Sequence, residues 1–110
     1  MSFHLRILGP DRVHFDEAVS ACVLPGVAGS FGVLTGHVPL VAALGTGLLK
    51  ITRADGGEVY FVIDGGLAEV AADKTVALVN QTFLVNDPDS AQSKLAELRV
   101  AALSSGLGRG

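Results

Sequence analysis

The chain of 110 residues lacks tryptophan and has a single cysteine and no long apolar run. One cysteine excludes a disulfide within the chain, and Cys22, in an apolar strand pattern with no base beside it, fits a small buried hydrophobe better than a reactive thiol. The longest apolar run, Val38 to Leu44, includes Pro39 and is far shorter than the roughly 20 residues of a membrane-spanning helix. We therefore predict no membrane insertion and, from the first nine residues, no targeting sequence.

Charged and catalytic side chains are also sparse. The net charge is -3 and no basic cluster is present, which argues against a nucleic-acid partner. His4, His14 and His37 are scattered and have no acidic or cysteine partners at metal-ligand spacing, so we predict no metal site. No acid, base and nucleophile converge in the pattern, so we predict no catalytic residue, no cofactor and no enzyme activity for this chain alone.

What the chain has in excess is apolar residues. They make up 49% of the sequence against 17% charged residues, and the mean hydropathy is +0.49, which is high for a soluble monomer. A chain of this length has room for one hydrophobic core. We expect part of the excess to fill that core and part to form a face for a partner.

The first 86 residues are patterned as short strands. Phe3 to Leu8 alternates with the period of a half-buried strand, and Ala54 to Gly57 carries the Asp-Gly pair of a hairpin turn. Further strand patterns recur at similar spacing, about ten in all. We therefore predict a mainly β fold, a β-sandwich or flattened barrel, over residues 1–86.

Residues 87–110 have a different period. Asp87 followed by Pro88 is typical of a helix start, since the aspartate caps free amides and proline is tolerated in the first turn. Apolar residues then recur with helical spacing in one stripe, at Ala91, Leu95, Leu98 and Ala102. This pattern predicts a single C-terminal α-helix whose stripe packs on the sandwich.

The segment Leu24 to Leu40, LPGVAGSFGVLTGHVPL, is interrupted by glycines and prolines and predicts strands joined by tight bends. It resembles the amino-terminal domain of the epsilon-subunit family of rotary F-type ATP synthases. The resemblance continues through Gly45-Thr46-Gly47 and through Val62 to Val70, VIDGGLAEV, and covers residues 3 to 86. It implies a non-catalytic central-stalk subunit that couples rotation of a proton- or sodium-driven c-ring to the catalytic head through the γ subunit. It also implies a peripheral location on the cytoplasmic face of a bacterial inner membrane.

The resemblance also assigns partner contacts residue by residue. The γ-facing positions would be Gly9, His37 and Ala42, and the c-ring-facing positions would be Ser30 and Phe31. For His37 the alternative is a turn residue that bonds to the backbone. Relatives often carry an acid where this chain has Ser30, so we expect shape, or a neighbour such as Glu17, to replace that charge.

The C-terminal segment departs from the family pattern. Family members commonly carry two C-terminal helices that can inhibit ATP hydrolysis, whereas residues 87–110 fit one helix, which predicts weak or absent inhibition. That helix is also the candidate contact with the α and β subunits. A nucleotide motif found in some members has Arg and Ala where this chain has Gln92 and Ser93, so we predict no nucleotide site. The alternative function is a small β-sandwich ligand-binding module, such as a carbohydrate binder. A sugar-binding site normally presents aromatic platforms, whereas this chain has no Trp, one Tyr and five Phe.

Overall fold

The chain forms seven strands followed by one helix in residues 1–107, the part that the structure, a computed structural model, describes; side chains are described to residue 103. The strands and helix are β1 Phe3–Leu8, β2 Val13–Gly26, β3 Gly29–Leu34, β4 Leu40–Arg53, β5 Glu58–Val70, β6 Lys74–Val79, β7 Thr82–Val85 and α1 Pro88–Leu107. The predicted mainly β fold with a C-terminal helix is confirmed. The end of the predicted helical segment, residues 108–110, lies outside the described residues.

The strands are fewer and longer than the sequence predicts. β2 and β4 have 14 residues each and β5 has 13, so several predicted short strands are halves of one bent strand. The pairing of β4 with β5 keeps one register on both sides of the bend, from Leu44 opposite Gly66 to Thr46 opposite Asp64. Glycines bend these strands without ending them, because the backbone hydrogen bonds resume on the far side.

The strands close into a ring. β1, β6, β5, β4 and β2 are hydrogen-bonded in that order, and β2 pairs back to β1. The β1–β6 pair is parallel, the other pairs are antiparallel, and β3 and β7 extend the ring by pairing with β2 and β5. This closed, two-layered arrangement is the predicted flattened barrel, and its closure leaves few free strand edges.

One core fills the barrel. Inward residues alternate along each strand, and the rings of Phe15 and Phe61 meet edge to face with centroids 6.1 Å apart. Thr75 is fully buried among them, and its hydroxyl has no hydrogen-bond partner in the described residues. The largest buried side chains include Leu5, Ile7, Leu24, Leu49, Ile51 and Ile63.

The bend in β5 is set by Gly65 and Gly66. Their φ angles are 79° and 147°, in the region that favours glycine. Before the bend Phe61 and Ile63 belong to the core cluster, while Val62 is buried outside it. After the bend Ala68 and Val70 belong to the cluster, so the side facing the core changes from odd to even positions. The strand pairs with β7 before the bend and with β6 after it, which lets one strand serve both layers of the barrel.

We predict that Gly66→Ala destabilises the fold by about 3 kcal/mol, from steric overlap added to backbone strain. A Cβ at Gly66 would overlap the carbonyl oxygen of Leu78 and lie 2.9 Å from Cα of Val79, both backbone atoms that cannot give way. Chemical denaturation of the two proteins measures the difference in the free energy of unfolding.

The matched control is Gly32→Ala, because a Cβ at Gly32 meets nothing within 4 Å and its φ lies outside the glycine region. We expect this variant to stay within about 0.5 kcal/mol of the parent. Equal stability of Gly66→Ala and the parent would contradict the role given to the bend.

Candidate docking surface

A row of apolar side chains crosses the outer side of the barrel. Register pairing places Ala43, Leu67, Leu78, Leu8 and Val13 side by side on β4, β5, β6, β1 and β2. Leu67 is 42% exposed and Leu78 and Val13 are 48% exposed. With neighbouring strands about 4.8 Å apart, the row is roughly 19 Å long. We call these five residues the apolar row.

The next outward row lies one pleat further along the strands. It contains Val41, which is 65% exposed, then Glu69, Val76, Arg6 and Asp16. On the β1–β2 side this row is charged, since Nε of Arg6 lies 3.5 Å from Oδ2 of Asp16. On the β4–β6 side it is apolar apart from Glu69. We call the apolar row together with Val41, Glu69 and Val76 the docking face.

Asp16 is held by two bases at the edge of the docking face. His4 contacts its other carboxylate oxygen through Nε2, and Arg6 lies on its second side. The hydrogen bond from His4 is the largest cause that holds the pKa of Asp16 below its ordinary value; desolvation opposes it, and the charge of Arg6 adds to it. The charged side of the second row is therefore internally compensated.

The predicted γ-facing residues lie around the docking face. Gly9 directly follows Leu8 of the apolar row, and its amide donates to the carbonyl of Arg12 at 2.9 Å. His37 lies in the loop before β4, at the opposite end of the strands. Ala42 lies on β4, but its pairing partner Ala68 is fully buried, and Ala42 is itself half-buried. At that strand the exposed neighbours of Ala42 are the residues available to a partner.

His37 has the backbone contact expected of a turn residue. Its Nδ1 donates to the carbonyl of Val38 at 2.7 Å, and its amide donates to the carbonyl of Leu34. The adjacent Gly36 amide donates to the carbonyl of Ala72, which ties the loop to the β5–β6 turn. His37 thus makes the backbone hydrogen bonds expected of a turn residue, and its contact with γ stays a prediction.

The predicted ring-facing residues lie on the β2–β3 hairpin. Ser30 is exposed opposite Pro25, while Phe31 is half-buried and packs against the core. The hairpin tip is fastened to β4, because the amide of Val27 donates to the carbonyl of Ala43 at 3.0 Å. The hairpin therefore adjoins one end of the apolar row.

Glu17 does not lie beside Ser30. It is eight residues from Pro25 along β2, which corresponds to roughly 26 Å of extended strand. Its carboxylate is bound to Arg53 at 3.2 Å. The expectation that Glu17 replaces the missing acid at Ser30 is wrong, because β2 runs extended from Glu17 to the hairpin and so separates the two residues.

The helix forms a second surface on another side of the barrel. It packs on β4, β5 and β7, with Ala91 fully buried and Leu95 and Leu98 half-buried. Nζ of Lys94 lies 4.0 Å from the ring centroid of Phe83, a cation–π contact. The predicted stripe is thus confirmed at these three positions, whereas Ala102 is exposed.

The described residues contain no candidate metal site. No group of three His, Cys, Asp or Glu side chains lies close enough there to hold a metal ion. The helix in the described residues is not long and apolar enough to cross a membrane. Cys22 is buried, and burial raises its pKa to about 12, so the thiol stays uncharged and unreactive at neutral pH.

An open groove of about 490 Å³ lies between β2 and β7. The aromatic side chains in its lining, Phe15 and Phe61, are buried and packed on each other, so neither presents a flat ring to a sugar. The charged residues there are paired, Glu17 with Arg53 and Glu58 with Lys50. The groove does not favour the ligand-binding alternative.

The sequence and the fold of this chain are similar to those of known proteins. The family described as "ATP synthase, Delta/Epsilon chain, beta-sandwich domain" matches residues 2–85. The chain belongs to this ATP synthase delta/epsilon family. The sequence-based identification of the family is confirmed, and the match covers all seven strands.

Similar members of the family are epsilon chains. The ATP synthase epsilon chain of Synechococcus sp. (strain WH7803) is 45% identical over 101 residues, which are 90% of this chain and 74% of the relative. That of Parasynechococcus marenigrum (strain WH8102) is 43% identical over 84 residues, 76% of this chain and 61% of the relative. The match thus leaves out part of each relative's length.

A solved structure shares the fold. A chain in the cryo-EM structure of the Euglena gracilis mitochondrial ATP synthase, OSCP/F1/c-ring in rotational state 1, superposes with a TM-score of 0.73 at 25% identity. The superposition covers 90% of this chain and 64% of that one. The delta/epsilon β-sandwich is therefore supported by both sequence and structure.

The docking face itself was not predicted residue by residue. Strand alternation marks Leu67 and Leu78 as members of an outward set, but only the register shows that they lie beside Leu8 and Ala43. A one-residue shift in any pair would turn that strand's apolar residues to the other side. The exposed row is thus a product of pairing between distant segments.

We predict that Asp87→Ala weakens the start of α1. Oδ1 of Asp87 accepts from the amide of Ser90 at 2.7 Å, and this hydrogen bond lowers the pKa of Asp87. Since the folded-state pKa is depressed, the cap is complete above the ordinary carboxyl value and is lost as pH falls through the lowered one. Amide exchange and the pH dependence of the Ser90 amide shift measure both effects.

The control is Asp89→Ala, which removes an acid from the same first turn without removing the cap. We expect it to leave the Ser90 amide shift and its acid titration in place. Loss of that titration in Asp89→Ala, or its persistence in Asp87→Ala, would show that Asp87 is not the capping group.

Proposed function

We propose that this chain is the non-catalytic epsilon subunit of the central stalk of an ATP synthase, coupling c-ring rotation to the catalytic head through γ. The observation that carries the proposal is the apolar row across five strands of the family's β-sandwich, which is exposed at Ala43, Leu67, Leu78 and Val13 and half-buried at Leu8. An outward row of this length is typical of a surface that a partner covers. In this proposal the γ subunit covers the apolar row.

The energetics favour a large, permanent contact. Burying apolar surface contributes about 25 cal/mol per Å² to a complex before the entropy cost of association is subtracted, so several side chains of the row have to be buried together. Gly9 follows β1 and His37 precedes β4, at opposite ends of the docking face, so one partner that spans the face reaches both predicted positions. In that arrangement Val41 and Ala43 make the contact that the family resemblance gives to Ala42.

The barrel is also suited to transmit torque. Its closed ring of hydrogen-bonded strands and its packed core resist deformation, so a force applied at one edge moves the whole domain. The β2–β3 hairpin with Ser30 and Phe31 would rest on the c-ring loops, with hydrogen bonding and shape in place of an acid. The same proposal covers proton- and sodium-driven rings, since other subunits select the ion.

The proposed location is peripheral, on the cytoplasmic face of a bacterial inner membrane.

We propose residues 1–86 as the docking domain and 87–110 as a helical segment whose exposed side, with Val100 and Leu103, contacts the α and β subunits. Because α1 packs on the barrel through Ala91, Leu95 and Leu98, we propose that residues 1–110 inhibit ATP hydrolysis weakly or not at all.

We predict that Leu67→Asp weakens binding to the γ subunit of the same organism by about 30-fold or more, because a charge would enter the middle of the apolar row. Leu84→Asp is the matched control, since Leu84 is 69% exposed on β7, away from the docking face. Calorimetric titration of purified γ with each variant gives the two affinities.

Both leucines are exposed, so neither change should alter the melting temperature. Equal losses of affinity in Leu67→Asp and Leu84→Asp would move the γ contact away from the docking face. Absence of any complex between the folded parent chain and folded γ would end the stalk proposal.

A separate prediction concerns inhibition. The 110-residue chain reconstituted into an epsilon-free ATP synthase should leave ATP hydrolysis near the uninhibited rate, and a chimaera with a second C-terminal helix from an inhibitory relative should lower that rate. An equally uninhibited chimaera that assembles normally would show that the second helix is not what inhibition requires.

A further inference from the structure

Glu69 is a carboxylate placed among apolar side chains on the docking face. It lies on β5 between Val41 of β4 and Val76 of β6, and the apolar row passes directly beside it through Leu67. Its own side chain is exposed, as is that of Val41. A partner that covers the apolar row therefore covers Glu69 as well.

The other acids on the strands have side-chain partners, and Asp64 accepts a hydrogen bond from the hydroxyl of Thr46 at 2.6 Å. Asp16 is held by His4 and Arg6, Glu17 by Arg53 at 3.2 Å, and Glu58 by Lys50 at 2.8 Å. Within residues 1–103, whose side chains the structure describes, Glu69 takes part in no ion pair and no side-chain hydrogen bond. Its charge is at present satisfied by solvent alone.

The nearest base by register is Lys74. It lies on β6 opposite Ala71, one pleat along from the position that faces Glu69, and it forms no ion pair with Glu69. Diagonal neighbours on antiparallel strands lie about 7–8 Å apart, so Lys74 is the internal competitor for this carboxylate. Any test has to separate it from a base on the partner.

Covering a lone carboxylate with an apolar surface is costly. Removing an ionised group from water without a counter-charge costs far more than the apolar atoms around it regain. We propose, on the basis of the γ-docking function above, that the covering surface of γ carries an arginine or lysine that pairs with Glu69 inside the interface. The ion pair offsets the desolvation of Glu69 and leaves the apolar row free to stabilise the complex.

The pair would also orient the complex. Apolar burial is non-directional, so the apolar row alone permits γ to slide or rotate on the strands. A charge pair at one point of the face selects a single register, because every shifted arrangement leaves two charges unpaired. Glu69 is on this view the residue that determines the orientation in which γ docks.

The experiment compares the affinity of γ for the parent chain, Glu69→Gln and Glu69→Leu. If γ supplies a base, both variants bind roughly 30-fold or more weakly, because the base is left buried and unpaired. If γ supplies none, the variants bind as tightly as the parent or more tightly, because the uncompensated burial of Glu69 is removed. Weaker binding of both variants therefore supports the proposal, and equal or tighter binding overturns it.

Two control variants test whether the change in affinity comes from a local contact of Glu69 with γ. Glu97→Leu removes an equal charge from the exposed side of α1, so it should leave the affinity unchanged if the effect is local rather than long-range steering. Lys74→Gln tests the internal competitor, and the loss caused by Glu69→Leu should persist in that background. Disappearance of the loss there would make Lys74 the counter-charge and overturn the proposal.

The outcomes separate the two proposals. Tight binding of the parent together with unchanged or tighter binding of Glu69→Leu removes the ion pair and leaves the γ-docking function standing. Failure of the folded parent to bind γ removes both. Weaker binding of both Glu69 variants, with Glu97→Leu unchanged, supports both.

Discussion

The structure depends on the continuity of strand β5 through its glycine bend. Gly65 and Gly66 let one strand pair with β7 in its first half and β6 in its second, while β4 stays paired with it on both sides. Without that passage the two layers would be separate sheets with free edges. The same bend exchanges the inward and outward positions, so it also decides which side of β5 faces the core after residue 65.

The docking face follows from this arrangement. Past the bend, Ala68 and Val70 point inward and Leu67 and Glu69 point outward, beside the outward residues of β4 and β6. The face is therefore made by the same strand pairing that closes the barrel. Its one unpaired acid distinguishes it from a simple apolar patch, because an acid constrains which surface can cover it.

Much of the fold could be predicted from local pattern. Alternation located the strands, Asp87 and Pro88 marked the start of the helix, and the glycine-rich segments carried the family resemblance that the comparisons confirm. Strand number was overestimated, because glycine signals a change of backbone direction but not whether hydrogen bonding resumes beyond it. The expectation for Glu17 was wrong for a related reason, since its distance from Ser30 depends on strand direction.

The sequence by itself determined the fold class and the family. These properties depend on composition and on neighbours along the chain. Only the tertiary structure decided that Ala43, Leu67, Leu78, Leu8 and Val13 form one row, that Ala42 is turned inward beside it, and that Glu69 lies unpaired within it. The physical reason is register: side-chain direction alternates with every residue, so a surface shared by five strands exists only once their pairing is set.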